Sequence, residues 1–410
     1  MSHRKYTYIN HIPLAGGFAL GNMAATNNLP VAITSFSPFE SNDALFLRYL
    51  RQKGYDVPYY QLDKLDINSF TFLSKKYSHI DFATSIPPCS GLSQAAQRKP
   101  GTRGTAEPNE WMYRSAEFIL GAIKPTVYVF ENAPTLYSGA GDEVRKRLIK
   151  IGEEFGYSIT FYKTNTLKHG IPQFRLRTFA VYCQGPQAPI LNTYNKVALP
   201  LKDYLKLIPQ TASLQDVYVH NEWDISKFEI TKFLIKKHGP NWREELLKFR
   251  THLTTYDYLL RKNWLKEFLE WQKSLPENER SEIVTKNVEH IIKKKEMGKG
   301  ARINYRVLEL DKDYTYAVIG EMMGKQIHPV EDRLLNIREF LWLMGMPFDY
   351  EIDNPRDYIK LSQNAPVNTC MDITTEIIEI INGNRNFAKS SVYMQDNTKS
   401  ININKSKSLF

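Results

Sequence analysis

Short apolar runs rich in β-forming residues alternate with helical patterns along residues 1–185. The runs are Val31 to Phe36, Ile80 to Ile86, Thr126 to Phe130, Ile159 to Tyr162 and Thr178 to Tyr182. Among them, Asn109 to Lys124 and Gly141 to Gly156 carry apolar residues at helical spacing. Strands alternating with helices predict a parallel α/β sheet, in which ligands gather beyond the carboxyl ends of the strands. After Cys183 the pattern changes. Pro186, Pro189 and Pro200 interrupt the chain, and residues 224–298 carry long helical patterns rich in Lys, Glu, Trp and Phe. Leu260, Trp264, Phe268 and Trp271 share one face of one helix, which reads as a core stripe rather than a base-stacking platform. Strand and helix signals resume near Tyr314, and Asp372 to Ile381 is expected as a closing helix. From Gly383 onward the chain is rich in Asn, Ser and Lys and is expected to form a disordered basic tail, residues 383–410.

Composition narrows this picture. A chain of 410 residues with 42% hydrophobic content can bury a core in two or three domains. No stretch approaches the roughly 18 uninterrupted apolar residues of a membrane span, and the first residues lack an apolar signal core. A cytoplasmic protein with no membrane partner is expected. Cys89, Cys183 and Cys370 lie far apart, which suits neither a zinc site nor a disulfide framework, so no metal is expected. The net charge of +10 favours a polyanionic partner. Its excess is concentrated, with 22 Lys and Arg against 16 Asp and Glu in residues 186–310, and five against one in residues 383–410. Lys293, Lys294 and Lys295 are the candidate phosphate contacts, against the plainer reading of a solvated helix face.

The residues just past the strand runs carry the chemistry. Ile80 to Ile86 ends in Pro87-Pro88-Cys89-Ser90-Gly91-Leu92-Ser93, which sets a cysteine on a proline-fixed turn at the sheet edge. Thr126 to Phe130 is followed by Glu131-Asn132-Ala133-Pro134, delivering a carboxyl group to the same rim. Gly170-Ile171-Pro172-Gln173-Phe174-Arg175-Leu176-Arg177 places one glutamine and two arginines just before the strand Thr178 to Tyr182. Singly, each has a plain explanation: an inert buried cysteine, a helix-capping glutamate, solvated arginines. Together they allow thiol, carboxyl and guanidinium groups to converge.

In this order and spacing, the three segments resemble motifs four, six and eight of the DNA cytosine-5 methyltransferase family. Gly16-Gly17-Phe18-Ala19-Leu20-Gly21 is similar to the second half of its first motif. Glu40 matches the acidic residue that holds the cofactor ribose, and Asp63, with Asp66 three residues away, matches the aspartate that meets the adenine. Ile327-His328-Pro329, Arg333, Arg338-Glu339 and Gly345-Met346-Pro347 resemble motif nine, and Ser362-Gln363-Asn364-Ala365-Pro366-Val367 resembles motif ten. The resemblance covers residues 9–185 and 326–382.

The resemblance implies a doubly wound α/β, Rossmann-like S-adenosylmethionine-dependent methyltransferase domain formed by residues 1–185 and 326–382. A largely helical target recognition domain is then inserted at 186–325. The cofactor implied is S-adenosylmethionine, held by Gly16, Gly17, Phe18, Glu40, Asp63, Pro88 and Asn364. The catalytic group implied is Cys89, Glu131, Arg175 and Arg177. Cys89 would add to C6 of a flipped cytosine, Glu131 would protonate N3, Arg177 would bind O2, and Arg175 would brace the loop or a phosphate. Double-stranded DNA is the implied partner, contacted by Ser93, Gln173 and the lysine run, with the protein acting as a monomer. A cognate restriction endonuclease is compatible with this reading, though no residue implies one.

Departures from the family pattern cluster in the first motif. Asn10-His11-Ile12-Pro13-Leu14-Ala15 stands where the family has Asp-Leu-Phe-x-Gly ahead of Gly-Gly. Leu14 thus replaces a glycine and Ile12 an adenine-stacking aromatic, which predicts weakened cofactor binding. Ser90 replaces a glutamine beside the cysteine, and Asn336 a threonine of motif nine. Two alternatives stand beside this reading. An RNA enzyme of the tRNA type would carry a Cys-Phe-Thr signature that residues 186–310 lack. A non-catalytic DNA-binding relative would have no need of Cys89, Glu131 and Arg177 together.

Overall fold

The computed structural model describes residues 4–37, 39, 43–63, 67–77, 79–92, 106–209, 229–242, 259, 262–297, 313–318, 328–330, 335–352 and 357–398. The strands that build the main sheet are β1 (Tyr8–His11), β2 (Ala32–Phe36), β3 (Tyr59–Leu62), β4 (Phe82–Ser85), β5 (Val127–Asn132), β6 (Tyr157–Asn165), β7 (Leu176–Gln184) and β8 (Val392–Asp396). The helices are α1 (Gly17–Thr26), α2 (Leu45–Gln52), α3 (Ile67–Lys76), α4 (Glu110–Phe118), α5 (Asp142–Glu154), α6 (Leu201–Lys206), α7 (Glu229–His238), α8 (Leu265–Ser274), α9 (Glu282–Glu296), α10 (Ile337–Leu343), α11 (Tyr358–Gln363) and α12 (Val367–Ile381). They form two compact units, Met1–Ala198 with Leu343–Phe410, and Leu199–Trp342.

In the first unit, eight strands run in the order β8-β6-β7-β5-β4-β1-β2-β3. All neighbours are parallel except β7, which is antiparallel to both β5 and β6. The expectation of a wholly parallel sheet fails here for a geometric reason. The ten residues between β6 and β7 are too few for a helical crossover, so the chain must return antiparallel. The side chains of β5 alternate between two apolar layers, Val127 and Val129 on one face and Tyr128 and Phe130 on the other. The first layer packs on Phe18 of α1 and on Cys370, Ile373 and Ile377 of α12; the second packs on Met112 of α4 and on Val144 and Leu148 of α5. Helices on both faces give the doubly wound architecture.

Strand β1 lies outside the runs predicted from sequence because its polar residues are buried. Asn10 Oδ1 accepts from Asn22 Nδ2 at 2.7 Å and from Thr84 Oγ1 at 3.0 Å, bonds to its carbonyl oxygen that no apolar pattern reveals. The chain boundaries also move. Residues 186–198 belong with the sheet, where Asn192 N donates to Glu376 Oε2 at 2.8 Å and Tyr194 OH to Glu376 Oε1 at 2.7 Å. The return to the first unit comes at Leu343, not at residue 326.

The expected disordered tail is corrected for residues 383–398. Arg385 grips Glu376 through Nε at 2.6 Å and Nη2 at 2.8 Å, and β8 pairs with β6 from Val392↔Ile159 to Asp396↔Lys163. This strand is short and half-buried, and the backbone ladder rather than an apolar face holds it. Residues 399–410 lie outside the described set.

Within the second unit the aromatic stripe is core. Phe268 is fully buried, and Trp264, Phe268 and Trp271 surround Phe233 of α7 with ring centroids 6.4, 5.2 and 5.4 Å away. Trp264 precedes α8 rather than lying inside it, and Leu260 lies outside the described residues. Asn336 caps α10 in a reciprocal box, with Glu339 N donating to Asn336 Oδ1 at 2.9 Å and Asn336 N donating to Glu339 Oε2 at 2.8 Å. Lys293, Lys294 and Lys295 form the last turn of α9, where their charge complements the helix C-terminus.

Candidate active site

Strand β4 is wholly buried, with Ser85 Oγ 2.7 Å from Tyr128 OH. The chain leaves the sheet through Pro87 and Pro88, whose rings fix φ and aim the next residue, Cys89, at the sheet edge. Two bonds hold the turn: Leu92 N donates to Cys89 O at 3.0 Å, and Asn132 Nδ2 donates to Pro87 O at 3.3 Å. Cys89 is half-buried, whereas Cys183 and Cys370 are buried in the core.

Glu131 is carried to the same edge by the adjacent β5 and is almost completely buried. Opposite it in the ladder stands Phe179, so Arg177 is the diagonal neighbour on the same face. Its Nε forms an ion pair with Glu131 Oε1. Burial raises the Glu131 pKa, against the lowering pull of Arg177 and then Arg175, so the carboxyl keeps its proton above the usual carboxylate range. Burial also pushes the Cys89 thiol up; Arg177 lowers it, Glu131 raises it and Arg175 lowers it. Thiol, carboxyl and guanidinium therefore act on one another electrostatically.

Arg175, expected in the catalytic group as a brace of the loop or a phosphate, has its guanidinium on the backbone of the closing segment. It is fully buried, and its Nη2 donates to Ser362 O at 2.7 Å and Asn364 O at 2.6 Å. Burial, with Arg177 second, lowers its pKa to about 9. The side chain braces the closing segment instead of reaching into the site. Gln173, expected at the nucleic acid, is buried as well, with Nε2 donating to Leu343 O at 2.8 Å. Its side chain ties the arginine loop to the end of α10.

The loop between β1 and α1 holds three left-handed positions at alternate residues. Ile12, Leu14 and Gly16 have φ of 50°, 54° and 90°. Left-handed backbone is the region that favours glycine, so Leu14 holds such a turn at the position where the resembling family carries glycine. Tyr350 OH donates to Ala15 O at 2.7 Å, and Gly17 N donates to Asn364 Oδ1 at 3.1 Å. A Cβ at Gly17 would stand 2.1 Å from Ala365 O, so only glycine permits this approach. Asn364 therefore meets the glycine loop itself. The Phe18 ring is buried against Phe179, edge to face at 5.8 Å, which leaves only its backbone N–H for a ligand. Pro88 is half-buried beside Cys89, and Asp63 is exposed just past β3. Glu40 and Ser93 lie outside the described residues, as do Asp66, Ile327 and Arg333.

Sequence reasoning missed two members of this region. Asn132 ties the cysteine turn to β5, and its signal was its place beside Glu131. His169, buried behind the arginine loop, bonds to Asp372 and Thr164; no local pattern marks it.

The sheet order, the single antiparallel strand and the glycine loop at the end of β1 define the S-adenosylmethionine-dependent methyltransferase fold. Solved structures share it. The Entamoeba histolytica methyltransferase EhMeth superposes with a TM-score of 0.55 at 12% identity, covering 92% of this chain and 99% of that one. A candidate DNA modification methyltransferase encoded within an E. coli prophage does so at 0.55 and 15%, with the same coverage of 92% and 99%. At such identities the likeness concerns the fold alone. The sequence pattern of the C-5 cytosine-specific DNA methylases matches residues 14–379, and the chain belongs to that family. Among relatives, the type II methyltransferase M.FnuDI of Fusobacterium nucleatum is 31% identical over 121 residues, 30% of this chain and 33% of that protein. M.BanI of Aneurinibacillus aneurinilyticus is 26% identical over 132 residues, 32% of this chain and 28% of that protein. The matches thus span about a third of the length of these two relatives. M.AquIA of Picosynechococcus is 24% identical over 178 residues, 41% of this chain and 67% of that protein.

Proposed function

We propose that the protein transfers a methyl group from S-adenosylmethionine to C5 of a cytosine flipped out of a specific duplex DNA sequence. The observation that carries this reading is the approach of Arg177 to a buried, readily protonated Glu131 at the strand edge that also bears Cys89. C5 of cytosine is a poor nucleophile until C6 is occupied. The Cys89 thiolate forms the S–C6 bond, the C5–C6 double-bond electrons move into the ring, and Glu131 gives its proton to N3. Arg177, on the same carboxyl, would bind O2. C5 is then enamine-like, and bound S-adenosylmethionine supplies an electrophilic methyl group. Loss of the C5 proton to a base and breakage of the S–C6 bond release Cys89 as its thiolate, and N3 gives its proton back to Glu131. Gly16, Gly17, the Phe18 N–H, Glu40 and Asp63 would hold the cofactor.

These atoms are shielded inside a duplex, so the base must leave the stack at a cost of a few kcal/mol. The unit Leu199–Trp342, which carries Lys293, Lys294 and Lys295, is the target recognition domain in this reading, recovering that cost through phosphate and groove contacts. DNA carrying 5-fluorocytosine at the target tests the chemistry, because fluorine cannot leave as a proton and the Cys89 adduct persists. Cys89→Ala should abolish both trapping and methylation, whereas Cys183→Ala should abolish neither. Trapping that survives Cys89→Ala would sink the assignment. Bisulfite sequencing of DNA from expressing cells would identify the site.

A further inference from the structure

Behind the arginine loop lies a buried polar chain that no catalytic step uses. His169 is almost completely buried and follows the turn Thr166–Lys168. Its Nδ1 lies 2.9 Å from Asp372 Oδ2 on α12, and its Nε2 lies 2.8 Å from Thr164 Oγ1 on β6. Lys196 Nζ donates to Asp372 Oδ1 at 2.6 Å, and Asn397 Nδ2, just past β8, donates to Thr164 Oγ1 at 3.1 Å. The donors and acceptors settle the tautomer. An ionised carboxylate only accepts, so Nδ1 carries the hydrogen, Nε2 accepts, and the Thr164 hydroxyl donates to it. Thr164 then keeps a lone pair for Asn397. The order Asp–His–Thr resembles a hydrolytic triad, but Thr164 is fully buried and has no exposed oxygen to attack with.

The same loop is fastened at its other end. Thr166 N and Oγ1 donate to Arg175 O at 3.0 and 3.2 Å, and the Arg175 guanidinium grips Ser362 and Asn364. Gln173 Nε2 adds a hold on Leu343 O at 2.8 Å near that end, and Lys196 N donates to Lys168 O at 2.9 Å, whereas His169 is the loop side chain that reaches Asp372 on α12. We propose that His169 is a positioning residue, anchored through Nδ1 on Asp372, that holds residues 166–175 so that Arg177 meets Glu131 and the target base. The proposal rests on the methyl-transfer reading above for its kinetic consequence.

Two substitutions separate the links of His169, because an asparagine amide nitrogen stands near the place of Nδ1 and a glutamine amide near that of Nε2. His169→Asn keeps a donor for Asp372 and loses Thr164; His169→Gln keeps a group for Thr164 and loses Asp372. In methylation of duplex DNA, kcat should fall about tenfold to a hundredfold for His169→Gln, the scale of a misplaced catalytic group, and stay within about threefold of the parent for His169→Asn. KM for S-adenosylmethionine and the melting temperature should be alike in the two variants, since each loses one buried bond. Amide exchange across residues 170–177 should quicken in His169→Gln and not in His169→Asn, a readout that needs no turnover. Equal kcat in both variants, a kcat loss that follows melting temperature, or equal exchange would overturn the assignment. Failure of the parent protein to transfer methyl would instead strike the proposed function, and the exchange comparison would still decide the anchor. Should His169→Gln not fold, Asp372→Asn removes the charge from the same link and should show the same loss of kcat and protection.

Discussion

Leu14→Gly tests whether the cofactor loop is limited by its departure from glycine. With φ of 54°, Leu14 sits in the left-handed region, where a side chain is strained by about 1–2 kcal/mol and glycine is not. The substitution removes that strain. It also removes a half-buried side chain that packs on both apolar layers, worth about 1 kcal/mol at half the usual burial gain. Glycine further adds about 0.5–1 kcal/mol of chain entropy to the unfolded state. The gain and the losses nearly offset, leaving a net destabilisation of about 1 kcal/mol at most, or a few degrees in Tm. Cofactor affinity should move the other way. With the side chain gone the backbone can approach the ligand, and a gain of about tenfold, or about 1.4 kcal/mol, is expected. Titration calorimetry with S-adenosylmethionine and scanning calorimetry on parent and variant measure both quantities. A fall in Tm of more than about 10 °C would show that Leu14 is a core residue first. An unchanged or weaker affinity in a folded variant would refute the idea that residue 14 limits binding.

Because Arg177 lowers the pKa of both Cys89 and Glu131, the two limbs of the pH profile for 5-fluorocytosine trapping report the pair. Arg177→Met should slow trapping and move both limbs to higher pH; limbs that stay in place would separate the arginine from the reacting groups. Neutralising Lys293, Lys294 and Lys295 should weaken DNA binding and reduce the log–log salt slope by about one for each phosphate that is no longer neutralised. A slope equal to the parent's would leave these lysines as the helix-terminal charges of α9. Arg175→Lys keeps the charge but offers fewer fixed donors to Ser362 O and Asn364 O, so it should lower Tm while Cys89 remains able to trap; loss of trapping with Tm unchanged would return Arg175 to the reacting base.

What the sequence revealed follows from how local each signal is. Strands β2, β4, β5, β6 and β7 were legible because their apolar residues are contiguous, and Cys89, Glu131 and Arg177 because each closes or opens such a strand. Strand β1 was hidden by Asn10 and His11, whose burial depends on partners from α1, β2 and β4 that lie far off in sequence. Strand β8 was hidden because an edge strand held by its ladder needs no apolar face. Gln173 was expected at the nucleic acid, and Arg175 as a brace of the loop or a phosphate, because of what the family resemblance implies. Their burial depends on residues 343–364, almost two hundred positions downstream. Composition alone misjudged residues 383–398, where Arg385 pairs with the buried Glu376, a carboxylate that a count of charges cannot locate.

The closing segment gives the long-range contacts a common logic. Asn364 accepts from Gly17 N with its side chain and from Arg175 with its carbonyl, and Tyr350 holds Ala15 O in the same loop. One element, reached only after the second unit has been traversed, therefore touches both the loop suited to the cofactor and the loop that carries the arginines. Left-handed backbone at Ile12 and Leu14 strains the first loop, and the second takes its holds on Leu343, Ser362, Asn364 and Asp372 from the returning segment. Splitting the sheet domain in sequence does not weaken it, because the returning segment buries α12 against α1 and supplies the carbonyls that Arg175 needs. Two loops braced by the same few residues, one suited to the cofactor and one carrying the arginines, will shift together when that brace is altered.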